Sequence, residues 1–187
     1  CRPRPWTRGC LHVVYAMQDR TLTFYDPARK QLCPTYMVAK VMRAEGGDSR
    51  KNIRNYAQNV AVACWCAKVF RHSFGQGSLF FVPCYFYDSI CAFDPGTEAQ
   101  LPDFAEFASE RHIHGVFTKY NSNRGYVLHG PEESLLAQAF SHFSFEMTRG
   151  EMMIVDLQGV CMRHDKAGGD RGNLPFFLLL SDPQVLS

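Results

Sequence analysis

The chain has 187 residues, 46% of them hydrophobic and 20% charged, with a formal net charge of +2. That balance excludes a disordered polyelectrolyte, and the length suits one domain or two small lobes sharing a cleft. No basic run points to nucleic acid, and no apolar stretch reaches the ~18 residues that a membrane-spanning helix needs.

Eight cysteines stand at positions 1, 10, 33, 64, 66, 84, 91 and 161, with no CxxC pair among them. This usage reads as buried reduced thiols, and with no signal peptide in view it places the protein in the cytoplasm. The chain starts without Met and stops just after a strand-like segment, so a fragment of a longer protein is expected.

After the proline-rich start, residues 9–17 form an apolar run that opens at Gly9. Gln18-Asp19-Arg20 reads as a turn before a second short strand, Leu22 to Tyr25, which Asp26-Pro27 ends. Tyr36 to Met42 is a buried-strand pattern interrupted by Lys40. A lysine in such a run either snorkels outward or faces a cleft and holds an anion as a point charge.

Residues 49–70 carry the strongest helical pattern. Ile53, Tyr56, Val60, Cys64 and Ala67 recur at three- and four-residue steps, with Asp48 or Ser49 as N-cap. Gly75-Gln76-Gly77 is a lone GxG, too short for a phosphate cradle. Residues 78–90 are aromatic and β-prone, with Pro83 at an edge or bulge. Residues 92–103 read as a loop, and Phe104 to Ser109 fits a helix or a strand. His112 and His114 alternate and could share a metal, but a hydrogen-bonded or surface role is the simpler reading. Val116 to Tyr120 then leads into the turn 121–125. Pro131 opens a helix through Phe140, with Glu132 and Glu133 near its positive end.

The stretch 138–158 concentrates the most signals. Phe143, Phe145 and Met147 alternate with polar residues and predict a half-buried strand. Thr148-Arg149-Gly150 supplies a turn, and Met152 to Val155 a strand buried on both faces. That strand delivers Asp156 and Gln158 at its end, where an acid either caps a turn or does chemistry. Residues 163–173 are polar and glycine-rich and read as a mobile surface loop. Pro175 to Leu180 is a further apolar strand that ends at Asp182. If the two strands are neighbours, Asp156, Gln158 and Asp182 converge as oxygen ligands suited to Mg²⁺.

The runs YMVAK (36–40), KYNSNRGYV (119–127), QAFSHFSFE (138–146), VDLQGV (155–160) and SDPQV (181–185) occur in one order across most of the chain. Together they resemble the alpha-kinase family of atypical serine/threonine protein kinases, with KYNSN and AFSHF most similar to its elongation-factor-2 kinase and myosin heavy chain kinase branches. The resemblance implies an α+β, two-lobed protein-kinase-like fold. Its N-terminal lobe, about 1–109, would cover ATP, and its C-terminal lobe, about 110–187, would carry the acids. It also implies that Lys40 contacts ATP phosphate, that Glu110 lies near the adenine, and that Asp156 orients the substrate hydroxyl. Gln158 and Asp182 would hold magnesium, and Gly9 would sit in a glycine-containing loop. The partners implied are ATP and a protein with a Ser/Thr acceptor.

Three departures from the family pattern stand out. The family's glycine-rich loop and the later histidine and cysteines of its zinc site do not occur before Ser187. His142, which matches the first zinc ligand, therefore reads as a neutral core histidine, with zinc expected only where a complete domain supplies the other ligands. The helix 49–70 contains no acid to pair with the nucleotide lysine, so Lys40 needs another partner. About twenty residues separate Gln158 from the second acid, where relatives have a few. The expected function is phosphoryl transfer from ATP to serine or threonine, which needs positioning and charge neutralisation more than covalent chemistry. A nucleotide-binding or scaffolding module that has lost phosphotransfer is the alternative, and a metal-dependent hydrolase using Asp156 and Asp182 a more distant third.

Overall fold

The computed structural model describes residues 7–8, 12–42, 49–74, 78–88, 106–163 and 176–187. The expected Gly9 loop, the 75–77 GxG, the 92–103 loop, the Asp48 cap and nearly all of the 163–173 loop lie outside the described residues. The chain divides into two compact units, Cys1–Ala57 with Cys84–His112, and Gln58–Pro83 with Ile113–Ser187. The expected lobe boundary lies near residue 110; the units divide between His112 and Ile113, and residues 58–83 belong to the second unit.

The first unit is a five-stranded antiparallel sheet. Its strands are β1 (Thr7–Arg8), β2 (His12–Asp26), β3 (Gln31–Met42), β5 (Cys84–Asp88) and β6 (Glu106–Arg111), in the order β1-β2-β3-β6-β5. The described residues 12–25 of the two short strands expected there lie in one continuous strand, β2, with an irregularity between Asp19 and Thr23. The turn signal at Asp19 is real but serves that irregularity. The Asp19 carboxylate accepts from the Thr21 and Leu22 amides at 2.7 and 3.0 Å and from the Thr21 hydroxyl at 2.6 Å. The Tyr87 hydroxyl of β5 also donates to it. Of the stretch 104–109, open to either reading, the described residues 106–109 lie in the strand β6, which pairs with β3 on one side and β5 on the other.

Helix α1 (Ser49–Phe74) forms where the 3.6-residue periodicity predicts it. Its stripe of Ile53, Tyr56, Val60, Ala63, Cys66, Ala67 and Phe70 is buried, with Cys64 at the margin. The second unit builds its sheet in the order β4-β10-β9-β7, from β4 (Ser78–Phe81), β7 (Phe117–Lys119), β9 (Gln158–Arg163) and β10 (Phe176–Ser181). A two-stranded ribbon pairs β8 (Met153–Val155) with β11 (Gln184–Leu186). Phe70, Phe81, Phe140, Leu178 and Leu180 fill the core, with Phe70 edge-on to Phe140 at 5.6 Å and to Phe143 at 5.2 Å. Burial pushes the Cys64, Cys66 and Cys161 thiols up, as expected of inert packing cysteines.

One expectation fails clearly. Residues 143–147 are not a strand but the last turns of helix α2 (Glu132–Met147). Its buried face is Ser134, Ala137, Phe140, Ser141 and Ser144, so small polar residues occupy the inward positions and hide the helical period. The serines satisfy themselves locally. Ser144 donates to the Ser141 carbonyl at 2.7 Å and accepts from the Ile154 amide at 2.9 Å. Small side chains allow β8 to approach this closely. Residues 148–150 make the expected turn, with Arg149 and Gly150 at φ 56° and 86°.

Two predictions follow from these contacts. The Thr21 hydroxyl foremost, then the Tyr87 hydroxyl and the Leu22 amide, holds the Asp19 carboxyl well below the usual carboxylate range, against the opposing pull of burial. A depressed folded-state pKa stabilises fully above about pH 4 and loses that contribution as the pH falls further. Asp19→Asn is therefore expected to lower Tm at pH 7 and to flatten the fall of Tm between pH 4 and 2, as read by thermal melts across that range. The second concerns Gly159, where an added Cβ would stand 2.1 Å from the Leu179 carbonyl oxygen and 2.8 Å from the Leu180 Cα. Both are backbone atoms of the neighbouring strand, so Gly159→Ala is expected to cost about 3 kcal/mol or more, measured by denaturant unfolding.

Candidate functional site

The first unit holds a buried cation with its counter-ion. Lys40 lies on β3, where Val38 pairs with Glu110 and Lys40 with Ala108, so the Lys40 and Glu110 side chains are diagonal neighbours on one face. Lys40 Nζ is 2.7 Å from Glu110 Oε1, with only 3% and 6% of the two side chains exposed. Lys40 does not snorkel. Tyr56 of α1 completes the group, accepting from Lys40 Nζ at 3.1 Å and donating to Glu110 Oε2 at 3.2 Å. Its ring also lies under the ammonium, 5.3 Å from ring centroid to nitrogen. The ring of His12 packs edge-on against Tyr56 at 5.4 Å.

The partner that Lys40 lacked in the helix is thus supplied by a strand. Glu110, expected beside the adenine, is bonded to Lys40 in this structure. Such a pair is costly to break, because removing one partner leaves the other charge buried and typically costs about 3–5 kcal/mol. Tyr56 went unrecognised in the sequence because it falls on the inward stripe of α1, where a tyrosine reads as core.

The second unit places the acids at a break between paired strands. Gln158 pairs with Ser181 at the end of the β9–β10 ladder, and Val155 pairs with Gln184 where the β8–β11 ladder begins. Between these registers lie Asp156-Leu157 on one chain segment and Asp182-Pro183 on the other. The strands carrying the acids are not direct neighbours, since β8 pairs with β11 and β10 with β9. Each segment passes from one ladder to the other at the same level, which places Asp156 and Asp182 in the break and Gln158 at its edge. Asp156 and Asp182 both hold left-handed backbones, at φ 60° and 54°. Non-glycine residues in that region cost about 1–3 kcal/mol each and concentrate at functional positions.

Asp156 is buried, and Lys119 Nζ approaches its Oδ1 to 2.7 Å. The approach is an ion pair, not an aligned hydrogen bond, and among the described residues this oxygen receives no hydrogen bond. Lys119 is 44% exposed, so solvent weakens the pair. It stands on β7 directly opposite Gln158. It belongs to the KYNSN run, yet its own role was not read from the sequence. The alternation that puts it on the face of Phe117 is only three residues long. Asp156, Gln158 and Asp182 carry oxygen atoms of the kind hard cations prefer.

His142 does not join any such set. It lies on α2 with 72% of its side chain exposed, 3.9 Å from Glu146 one turn on. It is therefore a surface residue and not the core histidine expected, because the inward positions of α2 fall to its neighbours Ser141 and Ser144. His112 and His114 follow β6 and lie outside any strand. Among the described residues no cluster of three His, Cys, Asp or Glu side chains is placed to hold a metal. No described helix is long and apolar enough to cross a membrane.

Comparison with known proteins identifies the fold and the family. A segment of 116 residues is 32% identical to Myosin heavy chain kinase C of Dictyostelium discoideum, covering 60% of this chain and 14% of that protein. A segment of 51 residues is 51% identical to the Eukaryotic elongation factor 2 kinase of Caenorhabditis elegans, covering 27% of this chain and 6% of that one. The matched segments are thus a small part of these relatives. Among solved structures, the alpha-kinase domain of Myosin-II heavy chain kinase A in complex with AMP-PNP matches with a TM-score of 0.68 at 22% identity, over 97% of this chain and 71% of that one. The inactive D756A form of that domain complexed with ATP matches with a TM-score of 0.67. The fold is therefore the α+β fold of these domains, and the alpha-kinase family profile matches residues 7–187. The chain belongs to the alpha-kinase family.

Proposed function

We propose that the chain carries the nucleotide-binding and catalytic residues of an ATP-dependent protein kinase that phosphorylates serine or threonine. The observation that carries this reading is Asp156. It is a buried carboxylate on a left-handed backbone, paired with a lysine, and its Oδ1 receives no hydrogen bond among the described residues. A carboxylate paired with a lysine in this way can take up the proton of a substrate hydroxyl. Lys119 sets a positive charge 2.7 Å from it.

Lys40 binds ATP phosphate as a point charge, held in place by Glu110 and Tyr56. Glu110 keeps that lysine charged and positioned, and it flanks the adenine, as the family resemblance implies. Gln158 and Asp182 would hold magnesium, which supplies charge neutralisation on the phosphates. Both are half-buried with carbonyl or carboxylate oxygens to offer, so the residues fit such an ion. The acceptor is a protein, since serine and threonine hydroxyls need no activation beyond a positioned base. The AMP-PNP and ATP complexes of the related domain support nucleotide binding by this fold. The protein is expected to act in the cytoplasm.

Substitutions in each unit separate binding from chemistry. Asp156→Ala is expected to abolish labelling of an added acceptor protein from γ-labelled ATP while leaving ATP affinity within about twofold, as measured by calorimetry. Undiminished labelling would remove Asp156 from its role. Lys40→Ala is expected to weaken ATP binding at least about tenfold, and unchanged affinity would sink the lysine assignment. Tyr56→Phe deletes one hydroxyl worth about 1 kcal/mol, so its ATP dissociation constant should rise roughly fivefold. A chain that binds ATP with the expected dependence on Lys40 but never labels an acceptor would be the nucleotide-binding module instead.

A further inference from the structure

We infer that Asn121 is a positioning residue for Asp156, acting through the Leu157 peptide group and never touching the reacting atoms. This inference rests on the catalytic assignment of Asp156. An aspartate at φ 60° stays there only when its surroundings over-determine the backbone. The residue that does so is its neighbour. Leu157 is fully buried, and both of its backbone groups are held by the dipeptide 120–121. Its N–H donates to Asn121 Oδ1 at 2.9 Å. Its carbonyl accepts from the amides of Tyr120 and Asn121 at 2.8 and 3.4 Å.

Asn121 is itself fixed from behind by α2. Its amide nitrogen uses both protons, one to Gln138 Oε1 at 3.0 Å and one to Ser141 Oγ at 2.9 Å. Gln138 closes the circuit by donating to the Tyr120 carbonyl at 3.1 Å. Every donor and acceptor of the Asn121 side chain is therefore used, and its orientation is unique. The flipped amide would set a donor against the Leu157 N–H and an acceptor against Gln138 Oε1. Asn121 is buried, so none of these bonds can be replaced by bulk water. The circuit runs from the buried face of α2 to the break that presents Asp156. It gives a function to the Asn121 and Gln138 positions of the KYNSN and QAF runs, which the nucleotide and metal assignments leave unexplained.

The consequence is a defect in catalysis without a defect in nucleotide binding. Loss of the Oδ1 acceptor frees the Leu157 amide, so Asp156 can relax from its left-handed backbone while Lys40, Glu110 and Tyr56 are unaffected. The test is steady-state labelling of casein from γ-labelled ATP by the full chain, with ATP binding followed in parallel by calorimetry. Asn121→Ala is expected to lower kcat about 10- to 100-fold with the KM and dissociation constant for ATP within about twofold. Asn121→Asp retains an oxygen beneath the Leu157 amide but sets an acceptor against Gln138 Oε1, so it should recover only part of the lost kcat at most. A fall in kcat matched by an equal fall in nucleotide-binding stoichiometry would overturn the inference, as would a raised KM for ATP or an unchanged kcat in Asn121→Ala. If Asn121→Ala does not fold, Ser141→Ala decides, because it removes only one of the two acceptors behind the amide. It should lower kcat several-fold at unchanged KM, and a wild-type kcat would overturn the role. An active Asp156→Ala protein overturns the catalytic assignment itself. A dead Asp156→Ala with a fully active Asn121→Ala overturns only the positioning role.

Discussion

The chemistry of the second unit depends on one interruption in strand pairing. Val155 opposite Gln184 and Gln158 opposite Ser181 hold two segments in antiparallel register, and between them two residues on each side are released. Released residues can turn their side chains where a ladder would not allow, and both acids do so through left-handed backbones. Such conformations are unfavourable in isolation and persist because the flanking ladders and the buried Leu157 leave no alternative. Gly159 serves the same geometry, since no side chain fits where β9 approaches the backbone of β10. The site is a property of the pairing, and the acids occupy positions the pairing creates.

The first unit solves a different problem, that of keeping a lysine charged inside a sheet. Burial favours the neutral amine, and an unpaired ammonium would be costly there. Glu110 supplies opposite charge from the adjacent strand, and the Tyr56 hydroxyl bridges the two by accepting from one and donating to the other. A tyrosine does this from the helix without adding a second negative charge, so the pair remains neutral overall. The result is a cation with fixed direction, which is the property needed to meet a phosphate.

The clearest sequence readings were those resting on side-chain periodicity over many residues. Helix α1 and the strand around Lys40 have long apolar patterns, and the structure follows them. Readings on short or polar patterns failed. The alternation of Phe143, Phe145 and Met147 imitates a strand, while the true inward face of α2 is made of serines and alanine. Only the hydrogen bonds of those serines, to the Leu128 carbonyl, to Asn121 and to the Ile154 amide of β8, reveal why the positions are buried. His142 was misplaced for the same reason, being one step off that face. Lys119 and Tyr56 were quoted in motif or core without a role, since what each touches is distant in sequence.

By itself the sequence determined which residues were available for chemistry and in what order. Lys40, Asp156, Gln158 and Asp182 sit within runs specific enough to indicate a family, because those runs combine backbone-determining residues with chemically necessary ones. Tertiary structure alone decided who partners whom. The substitution of Glu110 and Tyr56 for a missing helical acid depends on the register of β3 against β6, and the placement of the two aspartates in the break depends on where two ladders hand over. Pairing register is set by the burial of whole strand faces and by close backbone approaches such as that at Gly159. Those are sums over many distant contacts, and no local stretch of sequence contains them.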